Sequence, residues 1–188
     1  MKQLPRLRAP EPDPNFKLID PVQLEPVLAS FPAVARARVL ADIQELEAEL
    51  MPLFREQDAR AAYYQNQHRL YQITYIMLAT AATILGSAQA LSLAGRPAYV
   101  PVLAFGETVI ALFATYLATI SGREPPYPRW LDHRRKAETL RREYFRYLMN
   151  LQPYQDLPGD KPYERKYLLA QRCADINRGM FPEERRTL

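Results

Sequence analysis

The sequence predicts an all-helical membrane protein: an antiparallel hairpin of two transmembrane helices with cytoplasmic helices before and after it. Three observations carry this prediction. Residues 70–95 include no charged side chain, and residues 97–122 include only Glu107. Between these runs stands a tight Gly95-Arg96-Pro97 turn. Arginine and lysine crowd the outer ends of both runs, while the turn holds a single arginine. Over 188 residues the mean hydropathy of −0.33 and the 24% of charged residues would suit a soluble globule if hydropathy were evenly spread, and it is not.

Residues 1–32 form a proline-rich arm, with Pro5, Pro10, Pro12, Pro14, Pro21, Pro26 and Pro32 in a polar setting. Proline removes a backbone donor and pushes its predecessor out of the helical region, so the arm is expected to be extended or disordered. It is either a solvated tail or an arm that docks on a neighbouring subunit or partner. Its charged start is followed by no apolar core, unlike a secretory signal peptide.

Residues 33–71 are expected to be a cytoplasmic helical region leading into the membrane. Val39, Ile43, Leu46, Leu50 and Leu53 alternate at spacings of four and three, which places them on one stripe among Asp42, Glu45, Glu47 and Glu49. Pro52 is expected to kink or break this helix.

The hairpin is assigned to residues 72–122, with spans at about 73–94 and 98–120. Roughly 20 residues cross a hydrocarbon core about 30 Å thick, so each span has surplus for tilt. The hairpin returns the chain to the side it came from. Arg55, Arg60 and Arg69 precede it, and Arg123, Arg129, Arg134, Arg135, Lys136, Arg141 and Arg142 follow it, against Arg96 alone in the turn. The positive-inside rule then puts both termini in the cytoplasm of a cell whose plasma (inner) membrane holds the spans. Tyr71, Tyr75, Tyr127 and Trp130 suit aromatic anchors at the cytoplasmic interface, and Tyr99 suits one at the far face. The soluble alternative, with the hairpin at the centre of a helical bundle, would need more covering helix than this chain has.

Residues 123–188 are expected to be a C-terminal cytoplasmic helical region. Pro125, Pro126 and Pro128 should break the chain after the second span. A helix then runs over 130–151 with Leu140, Tyr144, Tyr147, Leu148 and Leu151 on one side. A loop covers 152–162, and a last helix over 163–177 has Tyr167, Leu168, Cys173 and Ile176 as its apolar positions, ended by Gly179.

The net charge of +4 and pI near 9.2 would admit an anionic partner. The basic residues flank the spans, so that partner is anionic lipid headgroups and not nucleic acid. One cysteine allows no intramolecular disulfide, and with two histidines it builds no zinc cluster. No nucleophile and base, no glycine-rich phosphate loop and no distinctive carboxylate pair is present, so neither a catalytic site nor a cofactor is assigned. His68 and His133 read as interfacial polar residues, and Cys173 as a small apolar one.

Glu107 is the chemically informative residue. An ionised carboxylate within the hydrocarbon costs at least a few kcal/mol, and neither span offers a base at that depth. Ala104, Glu107, Ala111, Ala114 and Ala118 share one face of the second span. On the first, Ala82, Gly86 and Ala90 form a small stripe and Thr80, Thr83 and Ser87 a hydroxyl stripe. Three readings are open. Glu107 is neutral and bonded to Thr80, Thr83 or a backbone carbonyl; it lines a pore formed by several copies; or it holds a proton or small ligand. A two-helix hairpin encloses no lumen, so a pore requires a homo-oligomer. Glu107, Ala104, Ala111, Ala114, Ala118, Thr80, Thr83 and Ser87 are then the pore-lining or selectivity candidates. The other class of function is a membrane-anchored scaffold recruiting cytoplasmic partners.

Arg60, Tyr63 and Tyr64 before the hairpin, then Trp130, Arg134, Ala137, Glu138, Leu140 and Glu143 in the run WLDHRRKAETLRREYFRYL, then Pro153-Tyr154 and a final helix follow a familiar order. Over about residues 55–180 the chain resembles the bacterial SLATT-type two-transmembrane effectors associated with nucleotide-signalling defence systems. The resemblance implies a pore-forming or membrane-perturbing role triggered by a cytoplasmic sensor protein or ligand. No nucleotide-sensing domain is visible in the sequence itself.

Overall fold

A computed structural model describes residues 13–123, 125–155 and 162–181. The described residues are helical and contain no strand: α1 Pro21–Ala29, α2 Ala33–Glu49, α3 Met51–Gly95, a 3-10 turn Pro97–Tyr99, α4 Val100–Arg123, α5 Pro126–Leu148 and α6 Pro162–Asn177. The chain divides into two compact units, one built on Tyr63–Arg129 and one on Pro10–Ala62 with Trp130–Leu188.

The first unit is the hairpin. α3 is a single helix of 45 residues, about 67 Å long at about 1.5 Å per residue. It ends at Gly95, where Arg96 leaves the helical region at φ −147° and Pro97 opens the turn. α4 therefore starts at Val100, two residues later than expected. Its Pro101 lies in the first turn, where a missing N–H costs nothing. The two helices run antiparallel and touch: the Tyr75 hydroxyl lies 3.1 Å from Ser121 Oγ, and a Cβ added at Gly106 would meet Leu85 Cδ1 at 3.5 Å. None of the buried apolar core lies in this unit. Ile76, Met77, Ile84, Leu91, Phe105, Leu112, Phe113 and Tyr116 are all exposed. Both helices carry stretches long and apolar enough to cross a membrane, and none of those stretches is buried within the chain.

The second unit holds the core. Leu46 and Leu50 of the predicted α2 stripe, Met51 and Phe54 at the start of α3, Ala137, Leu140, Tyr144 and Tyr147 of α5, and Leu169, Cys173 and Ile176 of α6 pack around Tyr154. Each fully buried large side chain contributes about 1.5–3 kcal/mol. On α5 and α6 two sequence assignments change. Leu151 and Tyr167 are exposed, and Leu169 takes the inward place given to Tyr167. Leu151 lies past the end of α5, and on α6 the spacing 169, 173, 176 defines the buried face.

Two proline expectations also change, and one holds. The described part of the arm is neither extended throughout nor a free tail: 21–29 form α1, with Pro21 in its first turn and the Asp20 carboxylate accepting from Val22 N–H at 3.0 Å. This arm docks on its own chain. Phe16 stacks on Phe54 with centroids 6.0 Å apart, Arg55 donates to the Phe16 carbonyl at 2.8 and 3.0 Å, and Leu28 is buried. Pro52 marks the expected break, in the first turn of α3 just after α2 ends at Glu49, although Leu50 stays in the right-handed region and Phe54 N–H reaches its carbonyl at 3.0 Å. Pro126 and Pro128 start α5 instead of breaking the chain, because the first helical turn needs no N–H. Residues 1–12, residue 124, residues 156–161 of the predicted loop and residues 182–188 lie outside the described set.

Candidate functional site

The hairpin's geometry follows from which residues it half-buries. On α4 these include Leu103, Gly106, Ile110, Ala114, Leu117 and Ser121, and on α3 Leu78, Ala82, Leu85, Gln89 and Ser92. The spacings of three and four define one stripe per helix, the seam along which the helices pack. Successive residues turn by about 100° around a helix of about 3.6 residues per turn, which locates every other position relative to that seam. The small stripes, Ala82, Gly86 and Ala90 on α3 and Ala104, Ala111, Ala114 and Ala118 on α4, lie to the same rotational side of their seams. In an antiparallel pair this brings both to one broad face of the hairpin. The opposite face carries Met77, Ile84 and Leu91 with Phe105, Leu112 and Tyr116.

Glu107 stands at the edge of the α4 seam on the small-residue face, half-buried. It lies seven residues after the start of α4, roughly 10 Å along it, on the turn side of the helix midpoint. Among the described residues it makes no hydrogen bond or ion pair. On the alanine stripe Ala104 and Ala114 are half-buried, and Ala111 and Ala118 are exposed.

The hydroxyl stripe is not brought to Glu107. Thr80, Thr83 and Ser87 are exposed on the outer side of α3, and each donates to the carbonyl four residues back, Ile76, Ala79 and Thr83, at 2.8 to 2.9 Å. No bond joins Glu107 to Thr80 or Thr83 of its own chain in this structure. Ile84 is level with Glu107 in the register set by the Leu85–Gly106 approach, but it lies on the large apolar face, exposed. The α3 seam carries two polar residues, Ser92, whose hydroxyl donates to the Ala88 carbonyl at 2.8 Å, and Gln89, which charge counting passes over because it is neutral.

At the other end of the hairpin, aromatic and polar groups gather. The His68 ring lies 5.4 Å from Tyr127, the Arg129 guanidinium 5.6 Å from the Tyr64 ring, and Gln67 Nε2 donates to Tyr71 Oη at 3.2 Å. Tyr75 turns into the seam toward Ser121. Tyr99 at the turn is exposed, as is Tyr127, while Trp130 begins the second unit, half-buried.

The second unit contains the other polar centre. Glu143 is buried at 1% exposure and accepts from Tyr154 Oη at 2.6 Å, from Arg172 Nη2 at 3.0 Å and from Arg172 Nε. Tyr154 follows a cis Gln152–Pro153 peptide, and its phenol is pushed far up by burial and by the Glu143 carboxylate. Beside it, burial raises the Cys173 thiol to about 12 and the Tyr144 phenol to about 12. Gln57, His133 and Asn177 form a chain: Gln57 Nε2 donates to Asn177 Oδ1 at 2.9 Å, leaving Gln57 Oε1 to accept from His133 Nδ1–H at 2.7 Å. Arg165 lies over the Tyr147 ring at 4.4 Å and donates to the Tyr147 carbonyl at 3.0 Å, with Asp42 at 3.4 to 3.5 Å. That spacing is long for a charge-assisted bond, and burial outweighs it in raising the Asp42 carboxyl. These groups are buried or mutually satisfied and tie helices together. No group of three histidine, cysteine or acidic residues among the described residues could hold a metal ion.

A family model described as a protein of unknown function (DUF4231) matches residues 55–161. No curated protein and no solved structure matches the chain.

Proposed function

We propose that the chain, which belongs to the DUF4231 family, inserts its hairpin into the inner membrane with both termini cytoplasmic and assembles into a homo-oligomeric, cation-permeable pore. The observation that carries this reading is Glu107: a carboxylate without a hydrogen bond or ion pair among the described residues, at the edge of a face made of alanine and glycine, on helices otherwise clothed in large apolar side chains. A free carboxylate facing lipid is costly. Turning the small faces of several hairpins toward one axis removes it from lipid, and small residues let backbones approach closely. The large face then meets the acyl chains. A ring of carboxylates attracts cations and repels anions. The resemblance to SLATT-type effectors implies the same role, with the second unit receiving the cytoplasmic signal that opens the pore.

The test is ion flux through purified protein in liposomes. Potassium flux with a reversal potential favouring cations is expected, and Glu107→Gln should bring that potential toward zero. Unchanged cation preference in the variant would overturn the role of Glu107. Vesicles that stay tight across pH and voltage favour the second reading, a membrane-anchored scaffold. Exposed Tyr163, Tyr167, Val22 and Val34 on the second unit suit that role.

A further inference from the structure

We propose that the outward face shared by α2 and α6 is the docking surface for a second copy of this chain, with the twofold axis running along the two helices. Within the second unit α2 and α6 run parallel, pinned side by side: Arg165 lies 3.4 Å from Asp42, and Lys166 pairs with Glu45. These pairs set Ala41 to Ala48 of α2 level with Tyr163 to Ala170 of α6. The inner sides are buried, Leu46 and Leu50 against Leu169, Cys173 and Ile176. At about 100° per residue, the opposite side of α2 carries Ala37, Ala41, Gln44 and Ala48, all exposed. That of α6 carries Tyr163 at 85% exposure, Tyr167 at 70% and Ala170. Because the helices are parallel and share one core, both stripes lie on one side of the unit. Both are uncharged, and the Glu45–Lys166 ion pair runs between them.

The face supplies both halves of its own complement, in shape and in charge, which commits it to a second copy. A twofold interface is isologous, so every contact across it occurs twice. With the axis along the helices, α2 of one copy meets α6 of the other at the same level. Tyr167 then lies on the shelf between Ala41 and Ala48, with Tyr163 at its open edge. A tyrosine ring buries a large area against such a shelf while its hydroxyl stays wet. Near the axis the Lys166 ammonium of each copy meets the Glu45 carboxylate of the other. Lys166 is half exposed, and a carboxylate accepts several bonds, so two internal ion pairs become one alternating ring of four charges. The arrangement also carries α3 out of both units at the same end, as two chains held in one bilayer require. Both α2 and α6 lie outside the residues 55–161 that the family model matches. The pairing is therefore a property of this chain.

The pairing does not rest on the pore reading and would serve a scaffold equally. It is tested in membranes with two differently tagged full-length copies, one carrying Gln44→Cys and the other Tyr167→Cys, treated with a short bismaleimide. Native Cys173 is 3% exposed and gives little background. The two copies are expected to cross-link to each other. Two Gln44→Cys copies, whose α2 helices stand diagonally across the axis, should do so far less. Lys166→Glu in both copies should cut the yield severalfold. Lys166→Glu in one copy and Glu45→Lys in the other should restore it, although each has lost its internal pair, because the charges then match only between copies. No product between positions 44 and 167, a yield indifferent to which copy carries which charge, or cross-linking solely to a different protein overturns the proposal. Ion flux is not read, so failure of the pore leaves the outcome untouched.

Discussion

Cutting Glu143 back to alanine would leave the Arg172 guanidinium and the Tyr154 hydroxyl facing each other across a buried gap. Removing one partner of a buried ion pair costs about 3–5 kcal/mol, so Glu143→Ala should lower the melting temperature of the detergent-solubilised protein sharply. Tyr154→Phe, which loses one bond to a charged group, should cost about 1–3 kcal/mol by the same assay. His133 adds a pH dependence. Burial lowers its pKa below the ordinary histidine value, so the folded protein holds the neutral ring more strongly than the unfolded chain does. That contribution is fully present above the unfolded pKa near 6.5 and is lost as pH falls below it. Melting temperature should therefore drop between pH 7.5 and 5.5, and His133→Gln should flatten the drop; equal slopes would show that the histidine is not its source. At this scale the sequence is partly legible. Ala137, Leu140, Glu143 and Tyr154, which carry the family resemblance, turn out to be the packing centre of the second unit. Gln57 and Gln89 were invisible, because a neutral amide disturbs neither a charge count nor an apolar run.

Element boundaries were readable where special backbone geometry coincides with a telling residue. α6 ends as expected at Gly179, whose φ of +83° lets Met180 N–H reach the Asp175 carbonyl at 2.9 Å and Gly179 N–H reach Ile176 at 2.9 Å. α5 closes in the same pattern through Asn150 at φ 51°, with Leu151 N–H on the Arg146 carbonyl at 2.9 Å. This cap went unforeseen, because asparagine announces a left-handed residue less loudly than glycine. Gly179→Ala should cost about 1–2 kcal/mol in the melting assay through its backbone alone, since the nearest atom to an added Cβ is the flexible Lys136 Cε at 3.9 Å. Prolines misled in the opposite direction. Read as breakers, Pro21, Pro126 and Pro128 instead begin helices, and a count of prolines alone cannot separate the two roles without the capping residue before them.

For the molecule as a whole, the division between an unburied apolar hairpin and a packed polar unit was the most legible property. It follows from where charge is absent, and no fine geometry is needed to see it. What the sequence could not rank is the two faces of the hairpin, because the seam is a relation between helices. The proposed topology has a direct measurement. A membrane-impermeant thiol reagent applied to intact cells should label Arg96→Cys at the turn and leave Tyr163→Cys unlabelled until the membrane is broken. The native Cys173 is buried, and its thiol is raised to about 12, so it should give almost no background. The reverse labelling pattern would place the termini outside.

The turn between the helices has one more consequence, for how such a protein is made. α3 stops at Gly95 and α4 starts at Val100, with Arg96 the single charge between them. On the proposed topology, a ribosome-bound chain has almost nothing hydrophilic to export. The two helices can enter the bilayer as a pre-paired unit, with one guanidinium to carry across. Insertion should then depend little on the machinery that translocates large polar loops. Lengthening the turn with charged residues should create that dependence.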